Sequence, residues 1–352
     1  MTKHPRLLYS SDMDHSQLYA VVKALLTPKK GILAADQSAS TMGRQLGAIG
    51  VEDTAENRRA YRQILFTTPT LEQYVSGVIL YDATIRNQTD NGTPFIDLLT
   101  AKGIVPIIKV DGSTVEHHNF PGEVVTQGLD NLGTRLAEYY SMGARAAKWR
   151  AVFTIGPSYP TEQNVLFDCI QLARYAQICQ ANGFVPLVEP EVIFKGNHSI
   201  ERAEEVTTKI LRKLFDTLVW FKVDLQGVIL KSSFVLAGSD FETQSTPEEV
   251  GEATIRTFQN SVPHKVPGIV FLSGGQTPER ATANLNAVAK IEREHGGLPW
   301  ELTFSFSRGL EQPVQETWRG DVANIPAAQK ALLHRLEMNC AAEQGSYNTK
   351  TE

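Results

Sequence analysis

Eight short apolar runs, each followed by residues with helical periodicity, constrain this chain more than any other feature of it. The runs lie near Gly31–Ala35, Gly77–Tyr81, Val105–Val110, Ala144–Trp149, Phe184–Val188, Gly227–Leu230, Ile269–Leu272 and Leu302–Phe304. Short, nearly continuous hydrophobic runs of this kind mark strands buried on both faces. Apolar residues recur at helical spacing over Asp130–Met142, Thr161–Ala181, Ser199–Trp220, Pro247–Asn260, Pro278–Glu294 and, after the last run, Ala327–Ala342. Strand–helix alternation predicts a parallel sheet with right-handed crossovers. Eight units in 352 residues fit a closed (β/α)8 TIM barrel better than an open doubly wound sheet. Ahead of the first strand, Leu18, Val21, Val22 and Leu25 predict a leader helix over Ser16–Leu26, ended by Thr27-Pro28. Residues 1–343 read as one barrel domain. Residues 344–352, polar and short of apolar anchors, read as a mobile tail.

Composition narrows the partners. A hydrophobic content of 42% with 21% charged residues is that of a soluble globular chain. A net charge of -5 and a pI of about 6.0 argue against nucleic acid or an anionic membrane as the main partner. No apolar run approaches the ~18 residues of a membrane span, and Met1 to Asp14 lacks the apolar core of a signal peptide. Cys169, Cys179 and Cys340 are too few and too scattered for a disulfide framework or a zinc cluster, which predicts a reducing, cytoplasmic setting.

A barrel puts its chemistry at the C-terminal ends of its strands. Those ends read Asp36, Asp82, Lys109 with Asp111, Lys148 with Arg150, Glu189 with Glu191, Lys231, Ser273-Gly274-Gly275, and Ser305 through Arg308. Five cations at one mouth of an acidic protein predict an anionic substrate held by electrostatic focusing. Lys231 closes the run Val228-Ile229-Leu230, where desolvation disfavours the ammonium, and a neutral amine is a nucleophile toward carbonyls. Lys148-Trp-Arg150 and Glu189-Pro-Glu191 each put two charges on one strand face. With Asp36 and Lys231 they can divide acid, base and nucleophile roles. The Ser273-Gly274-Gly275 turn can present backbone N–H groups to a phosphate, with Arg308 and Ser305 beside it. Lys109, Ser38, Thr41 and Arg44 make a second anion site across the mouth. Taken singly, a lysine at a strand end snorkels to solvent and SGG is an ordinary turn. Their recurrence strand after strand is what points to a site. His117-His118 has no further ligand at metal spacing and reads as a solvated loop, and no nucleotide-binding glycine motif follows a strand.

The segments GILAADQS, IIKVD, AKWR, LVEPEV, VILKSSFV, FLSGGQ and TFSFSRGLEQ, in this order, resemble class I fructose-bisphosphate aldolases from about residue 5 to residue 340. The resemblance implies a metal-free, cofactor-free lyase of glycolysis, a homotetramer, that reversibly cleaves fructose 1,6-bisphosphate through a lysine Schiff base. Lys231 matches the Schiff-base lysine and Glu189 the acid/base of carbinolamine formation and dehydration. Glu191 matches a neighbouring carboxylate, and Lys148 a second lysine assisting proton transfer. Asp36 matches the carboxylate near the C4 hydroxyl. Ser273, Gly274 and Arg308 match the C1-phosphate site; Lys109, Ser38 and Arg150 match residues toward the C6 phosphate. In the family a tyrosine ends the chain and folds over the mouth. The resemblance implies that the one tail tyrosine here, Tyr347, assists proton exchange on the enamine, although five more residues follow it.

Four positions depart from the family pattern: Gln37 stands for its usual Glu, Gln45 for a basic residue, Phe306 for a tyrosine, and Ser307 for a phosphate-side glycine. These bear on substrate range and affinity more than on reaction type. Sedoheptulose 1,7-bisphosphate formation is an extension of the same chemistry. A transaldolase-like enzyme would also use a barrel lysine but would not need two phosphate sites. A non-catalytic scaffold has no physical need to keep Lys231, Glu189, Lys148 and Asp36 together.

Overall fold

The computed structural model describes residues 15–352; Met1 to Asp14, over which no signal peptide is expected, lie outside the described residues. The strands are β1 (Gly31–Ala35), β2 (Val75–Leu80), β3 (Val105–Lys109), β4 (Thr114–Glu116), β5 (Val124–Thr126), β6 (Ala146–Phe153), β7 (Val185–Val192), β8 (Ile229–Ser232), β9 (Gly268–Phe271) and β10 (Glu301–Phe306). Eight of them close into a parallel barrel in the order β1-β10-β9-β8-β7-β6-β3-β2, as the alternation predicts. The short strands β4 and β5 form an antiparallel hairpin in the loop after β3, which the sequence pattern does not reveal.

Alternation of side chains along each strand splits the core into two layers. Ile32, Ala34, Ile79, Ile107, Leu187, Ile229 and Val270 fill the barrel interior. Leu33, Val78, Ile108, Trp149, Val188, Leu230 and Phe271 pack outward under the helices. The helix Ser16–Leu25 plugs the bottom of the interior with Leu18, Val22 and Leu25. Glycines make room for it: a Cβ at Gly77 would lie 2.5 Å from Leu25, and one at Gly268 2.5 Å from Leu26. Leu25 is fully buried, so its truncation to alanine would cost about 2–5 kcal/mol. With the bottom sealed, the C-terminal strand ends are the open end of the interior.

Helices Glu162–Ala181, Ile200–Trp220, Pro247–Ser261 and Pro278–Glu294 fall where their periodicity places them. Each begins at a Ser or Thr whose hydroxyl caps the first turn: Thr161, Ser199, Thr246 and Thr277. Four strands, β6, β7, β8 and β10, run two or more residues past the ends of their apolar runs. β6 continues through Lys148 and Arg150 to Phe153, β7 through Glu189 and Glu191 to Val192, and β8 through Lys231 to Ser232. Backbone pairing sustains them: Arg150 pairs with Glu189, Val152 with Glu191, and Lys231 with Val270. The charged residues therefore sit on strands, not on loops.

The tail corrects a second expectation. Residues after Gly345 are docked, with a 3-10 turn at Thr349–Thr351. Tyr347 is buried in the core against the helix Pro278–Glu294, where its N–H donates to Asn286 at 3.0 Å. Its hydroxyl donates to Glu352 at 2.5 Å, and Glu352 pairs with the buried Arg335. One aromatic anchor and one ion pair outweigh the tail's polar composition.

Candidate active site

The open end of the barrel holds a cavity of about 790 Å³. Asp36, Lys148, Glu189 and Lys231 line it, and all four are buried. β6 and β7 are neighbours in the barrel, so their inward charges face one another. The Nζ of Lys148 lies 3.1 Å from Asp36 Oδ2 and 2.8 Å from Glu189 Oε2. The other oxygen of Glu189, Oε1, lies 3.1 Å from Nζ of Lys231. One carboxylate thus contacts two lysines, and one lysine bridges two carboxylates.

Burial by itself would push the Asp36 carboxyl up. The Lys148 ammonium, then Lys231 and Lys109, more than reverse this and hold it well below the usual carboxylate range. Glu189 is held down in the same way, by Lys148, Lys231 and Arg150 against the effect of burial. For Lys148, desolvation is outweighed by Asp36, Glu189 and Asp111, so its ammonium is held above the usual lysine range. Lys148 is therefore a fixed cation that keeps two buried carboxylates ionised.

Comparison with known proteins identifies the family. A family model described as fructose-bisphosphate aldolase class-I matches residues 17–352. The chain belongs to the class I fructose-bisphosphate aldolase family. It is 46% identical over 336 residues to a probable fructose-bisphosphate aldolase class 1 of Xanthomonas axonopodis pv. citri, covering 95% of this chain and 99% of that one. A cytoplasmic isozyme of fructose-bisphosphate aldolase from Cicer arietinum is 46% identical over 339 residues, covering 96% of this chain and 93% of the relative. The solved fructose-bisphosphate aldolase of Plasmodium falciparum superposes with a TM-score of 0.92 at 42% identity, covering 94% and 95% of the two chains.

Other residues singled out in this aldolase sequence divide into two sets. Glu191, Arg150, Lys109, Ser38, Thr41, Ser273, Gly274 and Ser305 line the same cavity. Arg44, Gly275, Arg308 and Tyr347 do not. Arg308 is exposed, donates to the carbonyl of Gly275 at 3.4 Å, and faces a neighbouring cavity with Gln45 and Arg319. Arg44 lies one helical turn beyond Thr41, to whose hydroxyl it donates at 3.4 Å. Tyr347 is held at the tail's docking site.

The reading of five cations at one mouth is also corrected, since Arg308 does not line the cavity. The cavity lining carries Lys109, Lys148, Arg150 and Lys231 against Asp36, Asp111, Glu189 and Glu191. Lys109 pairs with Asp111, and Arg150 with Glu191. The mouth is charge-balanced, so focusing by net positive charge does not describe it. An anion entering it meets polar donors and cations already paired. Gly274 and Gly275 take positive φ values of 47° and 86°, which lets the turn after β9 curl beside the mouth. His117 is not a solvated loop residue. It is half-buried, with Nδ1 2.7 Å from Asn164 and its ring against Phe120 and Phe167.

A polar cluster behind the mouth escaped the sequence reading. Gln37 donates from Nε2 to Ser307 Oγ at 2.7 Å and to Glu311 Oε1 at 2.8 Å, and accepts from Arg62. Glu311 also accepts from Tyr61 at 3.0 Å. Burial, opposed by Arg62, Gln37 and Tyr61, pushes the Glu311 carboxyl up to about 7. The sequence signal was a glutamate three residues after Arg308, on the helix Arg308–Trp318 that contains Pro313.

Proposed function

We propose that this barrel mouth cleaves fructose 1,6-bisphosphate reversibly to dihydroxyacetone phosphate and glyceraldehyde 3-phosphate through an imine on Lys231. The observation that carries the proposal is the placement of Glu189 Oε1 3.1 Å from Lys231 Nζ. Glu189 takes the proton that the Lys231 ammonium must lose before the amine attacks the C2 ketone. It then returns a proton to the carbinolamine oxygen, which leaves as water. The resulting protonated imine accepts the electron pair of the C3–C4 bond better than a ketone does. Asp36, kept ionised by Lys148, accepts the C4 hydroxyl proton as that bond breaks and the aldehyde forms. Protonation of the enamine carbon regenerates the imine, and water releases the ketose phosphate and the free lysine. Glu191 holds Arg150 at the mouth.

In this reading Ser273, Gly274, Ser305 and Arg308 bind the ketone-side phosphate, and Lys109, Ser38 and Arg150 the other. Arg308 turns from the Gly275 carbonyl to reach it. The enzyme is assigned to the cytoplasm, as a homotetramer of its family's kind. Borohydride with dihydroxyacetone phosphate is expected to label Lys231, and Lys231→Met to abolish turnover. Turnover that survives Lys231→Met and is lost with EDTA would replace the imine with a metal-dependent route.

A further inference from the structure

Gln37 ties the loop after β1 to the loop after β10, and its orientation is fixed chemically. Arg62 has only donors, so the Gln37 atom facing it is the carbonyl Oε1. The amide nitrogen is therefore turned toward Ser307 Oγ and Glu311 Oε1, at 2.7 and 2.8 Å. Ser307 Oγ then accepts a hydrogen bond, which leaves its own O–H to donate elsewhere. Ser307 lines the cavity. Its hydroxyl makes no bond to the first turn of the helix Arg308–Trp318 that it precedes.

Next to it in the lining are Ser305, whose buried hydroxyl lacks a protein partner, and Ser273, whose Oγ lies 3.5 Å from the Gly309 N–H. The carboxylate of Glu311, which shares Gln37 with Ser307, is occupied by Gln37 and Tyr61. This wall of the mouth thus presents hydrogen-bond donors, the chemistry that an acceptor-only phosphate oxygen requires.

We propose that the Ser307 hydroxyl donates to the ketone-side phosphate of the substrate, and that Gln37 is a positioning residue that turns this proton into the cavity. The proposal rests on the aldolase reading for the identity of the phosphate's carrier. Ser307 is then a specificity-determining residue, favouring ketoses phosphorylated at the end that Ser273 and Gly274 face. A carboxylate at position 37 would accept from Ser307 and turn the same proton away.

The test is the half-saturating concentration of dihydroxyacetone phosphate in borohydride trapping, beside that of unphosphorylated dihydroxyacetone. Calorimetric titration with inorganic phosphate runs in parallel. A hydrogen bond to a charged group implies that Ser307→Ala raises the half-saturating concentration of dihydroxyacetone phosphate about tenfold, with that of dihydroxyacetone unmoved. Gln37→Met, which frees the hydroxyl to rotate, is expected to raise it about threefold. The double variant should match Ser307→Ala alone, since a positioning residue has nothing left to position. A rise of less than about twofold in Ser307→Ala, or an equal rise with both ligands, overturns the proposal. A Gln37→Met effect that persists in the Ser307→Ala background overturns the role of Gln37. Absence of trapping in the parent protein would instead count against the imine; the phosphate titration then still decides on Ser307.

Discussion

Lys148→Met isolates what the central lysine does. Methionine nearly fills the same space, so the change removes a charge and leaves little void. Asp36 and Glu189 are then buried carboxylates without the cation that touches both at 3.1 and 2.8 Å. Removing one partner of a buried pair costs about 3–5 kcal/mol while the remaining charge stays ionised. Glu189 keeps Lys231, but Asp36 keeps only the weaker influence of Lys231 and Lys109, and burial dominates it.

The folded-state Asp36 should therefore pass from below its unfolded value of 3.8 to above it. In the parent, the contribution of Asp36 to stability is present above that unfolded value and is lost as pH falls through the lower folded one. In the variant the penalty is full at high pH. It is relieved as pH falls and the folded protein takes up a proton. Urea denaturation should show a deficit of about 3–5 kcal/mol near pH 8 that shrinks toward pH 5. Cleavage should fall by about 100-fold or more, because Asp36 no longer accepts the C4 proton efficiently. A deficit that is the same at both pH values, or under about 1 kcal/mol near pH 8, would refute the reasoning. It would mean that water, not Lys148, balances these carboxylates.

Arg308→Ala should weaken fructose 1-phosphate and the bisphosphate alike by about tenfold or more; unchanged binding of fructose 1-phosphate in a steady-state assay would remove Arg308 from that site. Truncation after Gly345 deletes Tyr347 and Glu352 and strips the carboxylate from buried Arg335, so the melting temperature should drop by an amount equivalent to about 3 kcal/mol. Detritiation of labelled dihydroxyacetone phosphate by the folded truncated protein should keep its rate; a slowed rate with imine trapping intact would restore a catalytic Tyr347. Glu311 titrates at about 7 when folded against 4.5 unfolded, so stability should decline as pH rises between those values, by about 3 kcal/mol at most. Glu311→Gln should flatten that slope in pH-dependent denaturation.

The parts of this molecule legible in the sequence are those with a local period. Strand–helix alternation revealed the barrel, and the order of strand ends brought Lys148, Glu189 and Lys231 together on β6, β7 and β8. β6 and β7 were read short because their apolar runs break at Arg150 and Glu189, whereas the backbone ladder between them continues through Phe153 and Val192. The docked tail was missed for a related reason. A window of polar residues gives no hint that Glu352 meets a buried arginine on the preceding helix.

Charge is where a one-dimensional count fails most clearly. Five strand-end cations read as a positive mouth, yet Lys109 and Arg150 each reach a carboxylate only two residues away or on the adjacent strand. Barrel closure makes such pairing nearly unavoidable: inward residues at one height converge on the same small space, and a buried charge there must find its opposite. The same closure brings Gln37 to Ser307, 270 residues apart in sequence and adjacent across β1 and β10. What remains for the substrate is a set of paired ions and a few hydroxyls with a hydrogen to donate. We propose that a bisphosphate binds here by exchanging partners with the Lys109 and Arg150 pairs, so that its affinity should fall with added salt less steeply than that of an open cationic patch.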